Sequence, residues 1–136
     1  MIYLTGIQAL NLPCKLDTCG DWHCSGLRWD VLNLRDTKDT LFGDYEIELN
    51  KTIPEHTEQY NVANHIRALL DLIEGGNFSA AQGMKNDFIC NDAYNEEIFS
   101  MVYKLCSKEN WDKIYDFMHK EYKRSWRSWM NGKENI

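Results

Sequence analysis

The sequence predicts an α+β fold, in which a small N-terminal antiparallel sheet is packed by three to four C-terminal helices. Residues 1–50 alternate between apolar and polar side chains, whereas from about residue 59 the apolar side chains recur with the period of a helix. Strand-like segments followed by helix-like segments are typical of α+β proteins. With 136 residues, 43% of them hydrophobic, the chain can bury one core. We therefore expect residues 1–136 to form a single domain, with a strand-rich half at 1–50, a helical half at 59–130 and a frayed tail at 131–136.

Three short stretches predict the strands. Ile2–Thr5 is an apolar and β-branched run that ends at Gly6. Leu27–Val31 and Tyr45–Leu49 each place apolar side chains on one face and charged side chains on the other. A period of two with one charged face is typical of a half-buried antiparallel strand.

Helices are predicted from about residue 59 onward. The clearest apolar stripe ends at Gly75-Gly76, which favours a helix terminus, and consists of Val62, Ile66, Leu69, Leu70 and Ile73. A short helical turn follows at residues 79–84, and a third helix begins near Asn95. Ser107 is a candidate cap for a fourth helix, whose apolar face consists of Trp111, Ile114, Met118, Tyr122 and Trp126.

The charge distribution disfavours general nucleic-acid binding. The formal net charge is −6, and residues 1–60 carry five basic and ten acidic side chains. An acidic surface repels phosphate backbones. It is either an ordinary soluble surface or a face that docks a basic partner.

Composition also predicts where the protein works. The N-terminus lacks the basic start and clean apolar core of a signal peptide, and no run approaches the roughly 20 apolar residues that span a bilayer. The five cysteines are an odd number without a secretion signal, which favours reduced thiols. We therefore predict a cytoplasmic protein without membrane contact. We expect no cofactor, since the P-loop, dinucleotide-binding, serine-elbow and zincin motifs do not occur.

The stretch CGDWHC, residues 19–24, is dense in metal-ligand side chains. With Cys14 upstream, the residues Cys19, His23 and Cys24 complete a Cys3His set of the kind that zinc binds. The spacing fits poorly, because neighbouring residues on an extended strand point to opposite faces. We therefore treat the four as weak zinc candidates and favour ordinary buried thiols.

The same stretch offers candidates for catalysis. Asp21 is placed to orient His23, and His56 lies in a second region rich in acid–base groups. A nucleophilic cysteine activated by a more distant His56, His65 or His119 is a further alternative. The structural alternative is a turn in which Trp22 anchors the loop to the core.

The segment His119–Met130 interleaves basic residues with tryptophans. Its helical spacing favours core packing with a solvated face, and a protein interface or nucleic-acid binding are the alternatives. Across the chain, the candidate interface residues are Trp22, Trp126, Trp129, Arg124 and Arg127.

Five segments, MIYLTGIQALNLPC, LDTCGDWHC, FGDY, YNVANHIRALLDL and GMKNDFIC, together resemble a group of small bacterial proteins. The resemblance runs over most of the chain, from about Met1 to Trp126. That group is associated with mobile or defence-type loci, including toxin–antitoxin pairs. The resemblance implies a genetic context and assigns no catalytic residue.

Three functional hypotheses follow. The leading one is a cytoplasmic protein-binding regulator or inhibitor, antitoxin-like or defence-related, that occludes a partner protein encoded nearby. This hypothesis favours a protein that is not an enzyme. The first alternative is a small enzyme acting on nucleotide, nucleic acid or protein through Asp21 and His23. The second alternative is a zinc-stabilised structural module. Nucleic acid is expected as a partner only through the basic C-terminal helix.

Overall fold

A four-stranded sheet forms the N-terminal half of the molecule. The computed structural model describes residues 1–20 and 26–134. The strands are β1 (Ile2–Leu4), β2 (Leu34–Asp36), β3 (Ile47–Thr52) and β4 (Gln59–Ala63), in the order β2-β1-β4-β3. β1 pairs antiparallel with β2, β3 pairs antiparallel with β4, and β1 and β4 are parallel. The predicted α+β class is confirmed, and the parallel pair at the centre adds to the antiparallel pairings that the sequence predicts.

The predicted strand at Leu27–Val31 is wrong. The strand lies further on, at β2, because the side chain of Gln8 takes up the backbone groups of this segment. Its amide nitrogen donates to the carbonyl oxygens of Arg28 (2.8 Å) and Val31 (3.0 Å), and its amide oxygen accepts from the N–H of Asn33 (2.8 Å). The segment is therefore held in irregular structure.

The long apolar stripe belongs partly to a strand and partly to a helix. The helix α2 (His65–Glu74) begins six residues later than the predicted start near residue 59, because residues 59–63 form β4. Asn64 caps α2 by accepting a hydrogen bond from the N–H of Arg67 (3.0 Å). The predicted terminus is confirmed, since Gly75 caps the helix and Gly76 has φ +76°.

In the described part of the chain, five further α-helices and a π-helical turn lie before and after α2. They are α1 (Gly6–Leu10), α3 (Phe78–Ala81), a π-helical turn (Met84–Ile89), α4 (Asn95–Tyr103), α5 (Trp111–Tyr122) and α6 (Arg124–Glu134). The predicted fourth helix is two helices, which meet at Lys123, and its predicted cap Ser107 lies outside it. The segment predicted to be frayed is helical as far as Glu134. In the described ranges no helix is both long and apolar enough to cross a membrane.

Helix α2 is the centre of the molecule. Each of its residues is buried, and it contacts α1, β4, α3, the π-helical turn and α4. Its charged side chains Arg67 and Asp71 are buried in a closed hydrogen-bond network. Arg67 donates to Asp71 (2.9 Å) and to the hydroxyl of Tyr3 (2.9 Å), and that hydroxyl donates to Asp71 (2.7 Å). The network ties the central strand β1 to the helix and so fixes where the first residue of α2 lies.

Candidate functional site

The segment at residues 12–20 folds over the N-terminus of α2 and brings Cys14, Thr18 and His65 together. His65 is the first residue of α2 and is 1% exposed. The Thr18 hydroxyl lies 2.6 Å from His65 Nδ1, and the sulfur of Cys14 lies 3.8 Å from the same hydroxyl. Cys14 and Thr18 are both half-buried, so this cluster reaches from the core to the surface.

The hydrogen bonds of His65 determine how protons are placed in the cluster. Its Nε2 lies 2.6 Å from the carbonyl oxygen of Leu12, and because a carbonyl only accepts, Nε2 carries the proton of the neutral ring. Nδ1 is then the acceptor and takes a hydrogen bond from the Thr18 hydroxyl. The oxygen of Thr18 in turn accepts from the thiol of Cys14. A continuous path therefore leads from the thiol proton to a basic nitrogen.

The environment of Cys14 favours its thiolate. Burial acts to raise the pKa of the Cys14 thiol, but the backbone N–H of His65 and its side chain, once the ring has taken up the proton, stabilise the thiolate and outweigh burial, so the pKa lies below its ordinary value. The backbone donor is at the start of α2, where the N–H groups and the helix dipole favour negative charge. A thiol with a lowered pKa beside a histidine is the chemical setting of a nucleophile.

A disulfide and a glycine hold the segment over the helix. Cys19 is bonded to Cys90, with Cα atoms 6.0 Å apart, and its N–H donates to the carbonyl of Phe88 (3.0 Å). Gly20 is buried, and a Cβ there would lie 3.0 Å from His65 Nδ1. The expectation of reduced thiols therefore fails at Cys19 and Cys90, whereas Cys14 and Cys106 are free. The disulfide therefore ties the segment at residues 12–20, which carries Cys14 and Thr18, to the chain at the end of the π-helical turn.

Cys14 borders a surface cavity of about 390 Å³, a size typical of small-ligand sites. Lys51 fixes its wall by donating from Nζ to the carbonyl of Pro13 (2.6 Å) and to the carboxylate of Glu48 (2.7 Å). The N–H of Lys15 donates to the same carboxylate (2.8 Å). The thiol thus lies at the edge of a cavity whose wall is hydrogen-bonded.

Of the catalytic candidates, Asp21 and His23 lie outside the described residues. His56 is described, and its Nε2 lies 2.6 Å from the carbonyl oxygen of Trp29 while its Nδ1 lies 3.3 Å from the hydroxyl of Tyr60. Nε2 therefore joins the loop before β4 to the segment before β2, whereas Nδ1 contacts β4 itself. In this arrangement His56 has a structural role and takes no part in the Cys14 cluster.

The candidate interface residues separate into buried and exposed groups. Trp126 is fully buried, so it presents no surface to a partner in this conformation. Trp129 is half-buried and donates from Nε1 to the carboxylate of Glu96 (2.7 Å). Arg124 and Arg127 are exposed. Trp22 lies outside the described residues.

Metal-ligating side chains do not gather in the part of the chain that the structure describes. No group of three or more His, Cys, Asp or Glu side chains is placed there to hold an ion. Of the four zinc candidates, Cys19 is in a disulfide, Cys14 contacts Thr18, and His23 and Cys24 lie outside the described residues.

Sequence reasoning named the two ends of this cluster but missed its middle. The sequence predicts Cys14 as a weak zinc ligand and His65 as one of three distant histidines that are candidates for activating a thiol. Thr18 carried no signal, because a threonine in a polar loop is ordinary. The pairing depends on how residues 12–20 fold over α2, and hydrophobic periodicity says nothing about that loop.

In comparisons with known proteins, no family model, curated protein or solved structure matches the chain.

Proposed function

We propose that the chain is a small thiol-dependent enzyme in which Cys14 is the nucleophile. The observation that carries the proposal is the hydrogen-bonded path from the Cys14 thiol through the Thr18 hydroxyl to His65 Nδ1. His65 acts as the base, and the Leu12 carbonyl holds its ring in the tautomer that leaves Nδ1 free of a proton.

The chemistry that this arrangement supports is attack of sulfur on an electrophilic acyl carbon. The thiol proton passes to Nδ1 while the Thr18 hydroxyl accepts one proton and donates another. The sulfur–carbon bond forms, and the leaving group departs with the proton that His65 then returns. Water later cleaves the acyl–sulfur bond and regenerates the thiol.

The first test is peptide-resolved alkylation with iodoacetamide as a function of pH. We expect Cys14 to be modified with a midpoint below the value of about 8.5 of an ordinary thiol, since its pKa is lowered. The exposed thiol Cys106 is the internal reference for accessibility. Thr18→Val and His65→Asn should both move the midpoint of Cys14 upward and leave the alkylation of Cys106 unchanged.

The second test is turnover of a p-nitrophenyl ester. A burst of one equivalent of p-nitrophenol that disappears in Cys14→Ser, while Cys106→Ser keeps it, is the expected result. A burst that survives Cys14→Ser, or an ordinary alkylation midpoint for Cys14, would refute the proposal.

A second candidate function is the regulation of a basic partner protein by occlusion, in an antitoxin-like or defence-related role. The observation that favours it is an apolar pair at one edge of the sheet: the exposed side chains of Leu34 on the edge strand β2 and Ile2 on the neighbouring β1 lie on the same face. Exposed apolar side chains at a free sheet edge are typical of a docking surface.

Charge supports the choice of a basic partner. The first 60 residues carry a twofold excess of acidic over basic side chains, and Asp36, which follows Leu34 on β2, is the sheet partner of Ile2. Such a field steers a basic surface toward the edge strand. With Trp126 buried, the apolar edge takes the anchoring role that the sequence assigned to an aromatic residue.

The test is co-purification with the product of the adjacent gene. We expect a stoichiometric complex whose association slows as salt is raised, and which Leu34→Asp abolishes. Leu49→Asp is the matched control, because Leu49 is exposed on β3 at the opposite edge of the sheet. Equal binding by both variants, or no complex in any of them, would rule the edge out.

A further inference from the structure

A separate cavity, of about 720 Å³, lies between the π-helical turn and the junction of α5 with α6. Its size is within the range of small-molecule sites. The turn supplies Lys85 to its lining, and the helix junction supplies Lys120, Lys123 and Arg124. Four cationic side chains therefore border one concave surface of a protein whose net charge is −6.

These four cations form no ion pairs with the described residues. In residues 1–20 and 26–134, no carboxylate lies within 4.0 Å of the charged atoms of any of them, although seven ion pairs form elsewhere. Cations that are grouped in a cleft and outnumber the carboxylates there produce a local positive potential. The cleft is therefore charged to receive an anion.

The carboxylate of Glu121 also borders the cavity, but hydrogen bonds already engage it. Its two oxygens accept the N–H groups of Gly83 (3.1 Å) and Lys85 (3.2 Å), which clamps the π-helical turn to α5. Asp87 is the other acidic residue in the lining. Four cations against two carboxylates leave the cavity with a positive balance.

The backbone at the junction of α5 and α6 is strained at one residue. Lys123 has φ +51° and ψ −120°, a backbone conformation that residues other than glycine rarely adopt. The kink begins α6 at Arg124, so that the positive end of its dipole borders the cavity. Tyr122 also borders it, is 3% exposed, and has a hydroxyl without a hydrogen-bond partner in the described residues.

We propose that this cavity binds a small ligand that carries two or more phosphate groups. Several converging cations favour an oligophosphate over a single carboxylate, since each phosphate brings more charge and more acceptor oxygens. Single-stranded nucleic acid is disfavoured because its binding needs exposed aromatic rings for base stacking, and Trp126, the nearest tryptophan along the chain, is fully buried.

The experiment is calorimetric titration of the full chain with inorganic tripolyphosphate. Lys120→Gln/Lys123→Gln should weaken binding by about tenfold or more, as expected for the loss of charge-assisted contacts. Lys104→Gln/Lys113→Gln removes the same charge from exposed positions outside the cavity and should change affinity by less than about twofold, as expected for screened surface charges. Circular dichroism should show the same melting temperature for both double variants.

Three results would overturn the proposal. One is the absence of tripolyphosphate binding at physiological salt. Another is equal weakening by the two double variants, which would indicate a general charge effect. The third is much tighter binding of a 12-mer of thymidine than of tripolyphosphate, which would assign the surface to nucleic acid. The site is remote in sequence from Cys14, so none of these results bears on the thiol-dependent activity.

Discussion

Asp71 accepts hydrogen bonds from three side chains in the core. The hydroxyls of Tyr3 and Thr5 each donate to it at 2.7 Å, and Arg67 donates at 2.9 Å. Burial, together with the hydrogen bond to Asp71, raises the pKa of Tyr3 well above its ordinary value, so its hydroxyl stays a donor. These hydrogen bonds thus offset the free-energy cost of removing the Asp71 carboxylate from water.

Removing the charge of Asp71 should be strongly destabilising. Asp71→Asn leaves Arg67 buried without its counter-charge, and we expect a loss of about 3–5 kcal/mol in the free energy of unfolding. Asp30→Asn breaks the exposed ion pair with Arg28 and should leave the free energy of unfolding nearly unchanged, because water and salt screen this pair. Urea denaturation of both variants checks this, and similar losses would contradict it.

Gly20 is a second residue whose role can be tested. Its substitution by alanine would place a methyl group against the ring of His65, at 3.0 Å from Nδ1. We expect Gly20→Ala to displace His65 from Thr18 and so to raise the alkylation midpoint of Cys14. Gly26→Ala is the control, since a Cβ there meets no atom within 4 Å. An unchanged midpoint in Gly20→Ala would show that the ring contact does not position His65.

At the level of elements, the junction of α5 and α6 tests where the backbone is strained. Lys123→Gly should stabilise the fold by roughly 1 kcal/mol, because glycine adopts positive φ without steric cost. Lys113→Gly, at an exposed position inside α5, should destabilise it by about 1 kcal/mol. Thermal denaturation of the pair measures both signs, and destabilisation by both would show that Lys123 is not strained.

The spacing of apolar residues predicts that helices are present better than it predicts the residues at which they begin and end. The stripe from Ile66 to Ile73 is buried in α2, but Val62, four residues before Ile66, is buried in β4, so a strand residue continued the helical phase. In the same way Tyr122 and Trp126 keep helical spacing across the kink at Lys123. Apolar spacing reports which residues are buried, and a change of backbone direction between them leaves it unaltered.

The candidate site was less predictable for a related reason. Cys14 and His65 are 51 positions apart in the sequence, and Cys19 and Cys90 are 71 apart. Such contacts depend on loop paths, which local propensities do not determine. The stretch CGDWHC begins at Cys19, inside the loop region of the candidate site, but the side chain that completes the site, His65, lies on α2.

At the level of the whole molecule, the disulfide joins the N-terminal loop to the helical half. In the chain-entropy model a bridge across 71 residues stabilises the fold by about 4 kcal/mol. We therefore expect Cys90→Ser to lower the free energy of unfolding by about this amount. Cys106→Ser, at an exposed free thiol, should change it by less than about 0.5 kcal/mol.

The same bridge can be sought directly. Peptide mapping without reductant should recover the Cys19 and Cys90 peptides as one linked species, which reductant separates. Separate peptides from protein isolated under thiol-blocking conditions would show that the bridge does not form in the cell. Cytoplasmic proteins are normally kept reduced, so this measurement also bears on the predicted location.

The position of β1 has a consequence for how the protein is made. Residues 2–4 are translated before both of their sheet neighbours, which are residues 34–36 and 59–63. At typical elongation rates the second neighbour follows after several seconds, on the order of 3–12 s. Tyr3 and Leu4, fully buried in the finished protein, stay uncovered on the ribosome for that time. The nascent chain therefore exposes an unpaired apolar strand, to which chaperones can bind, until β4 has been translated.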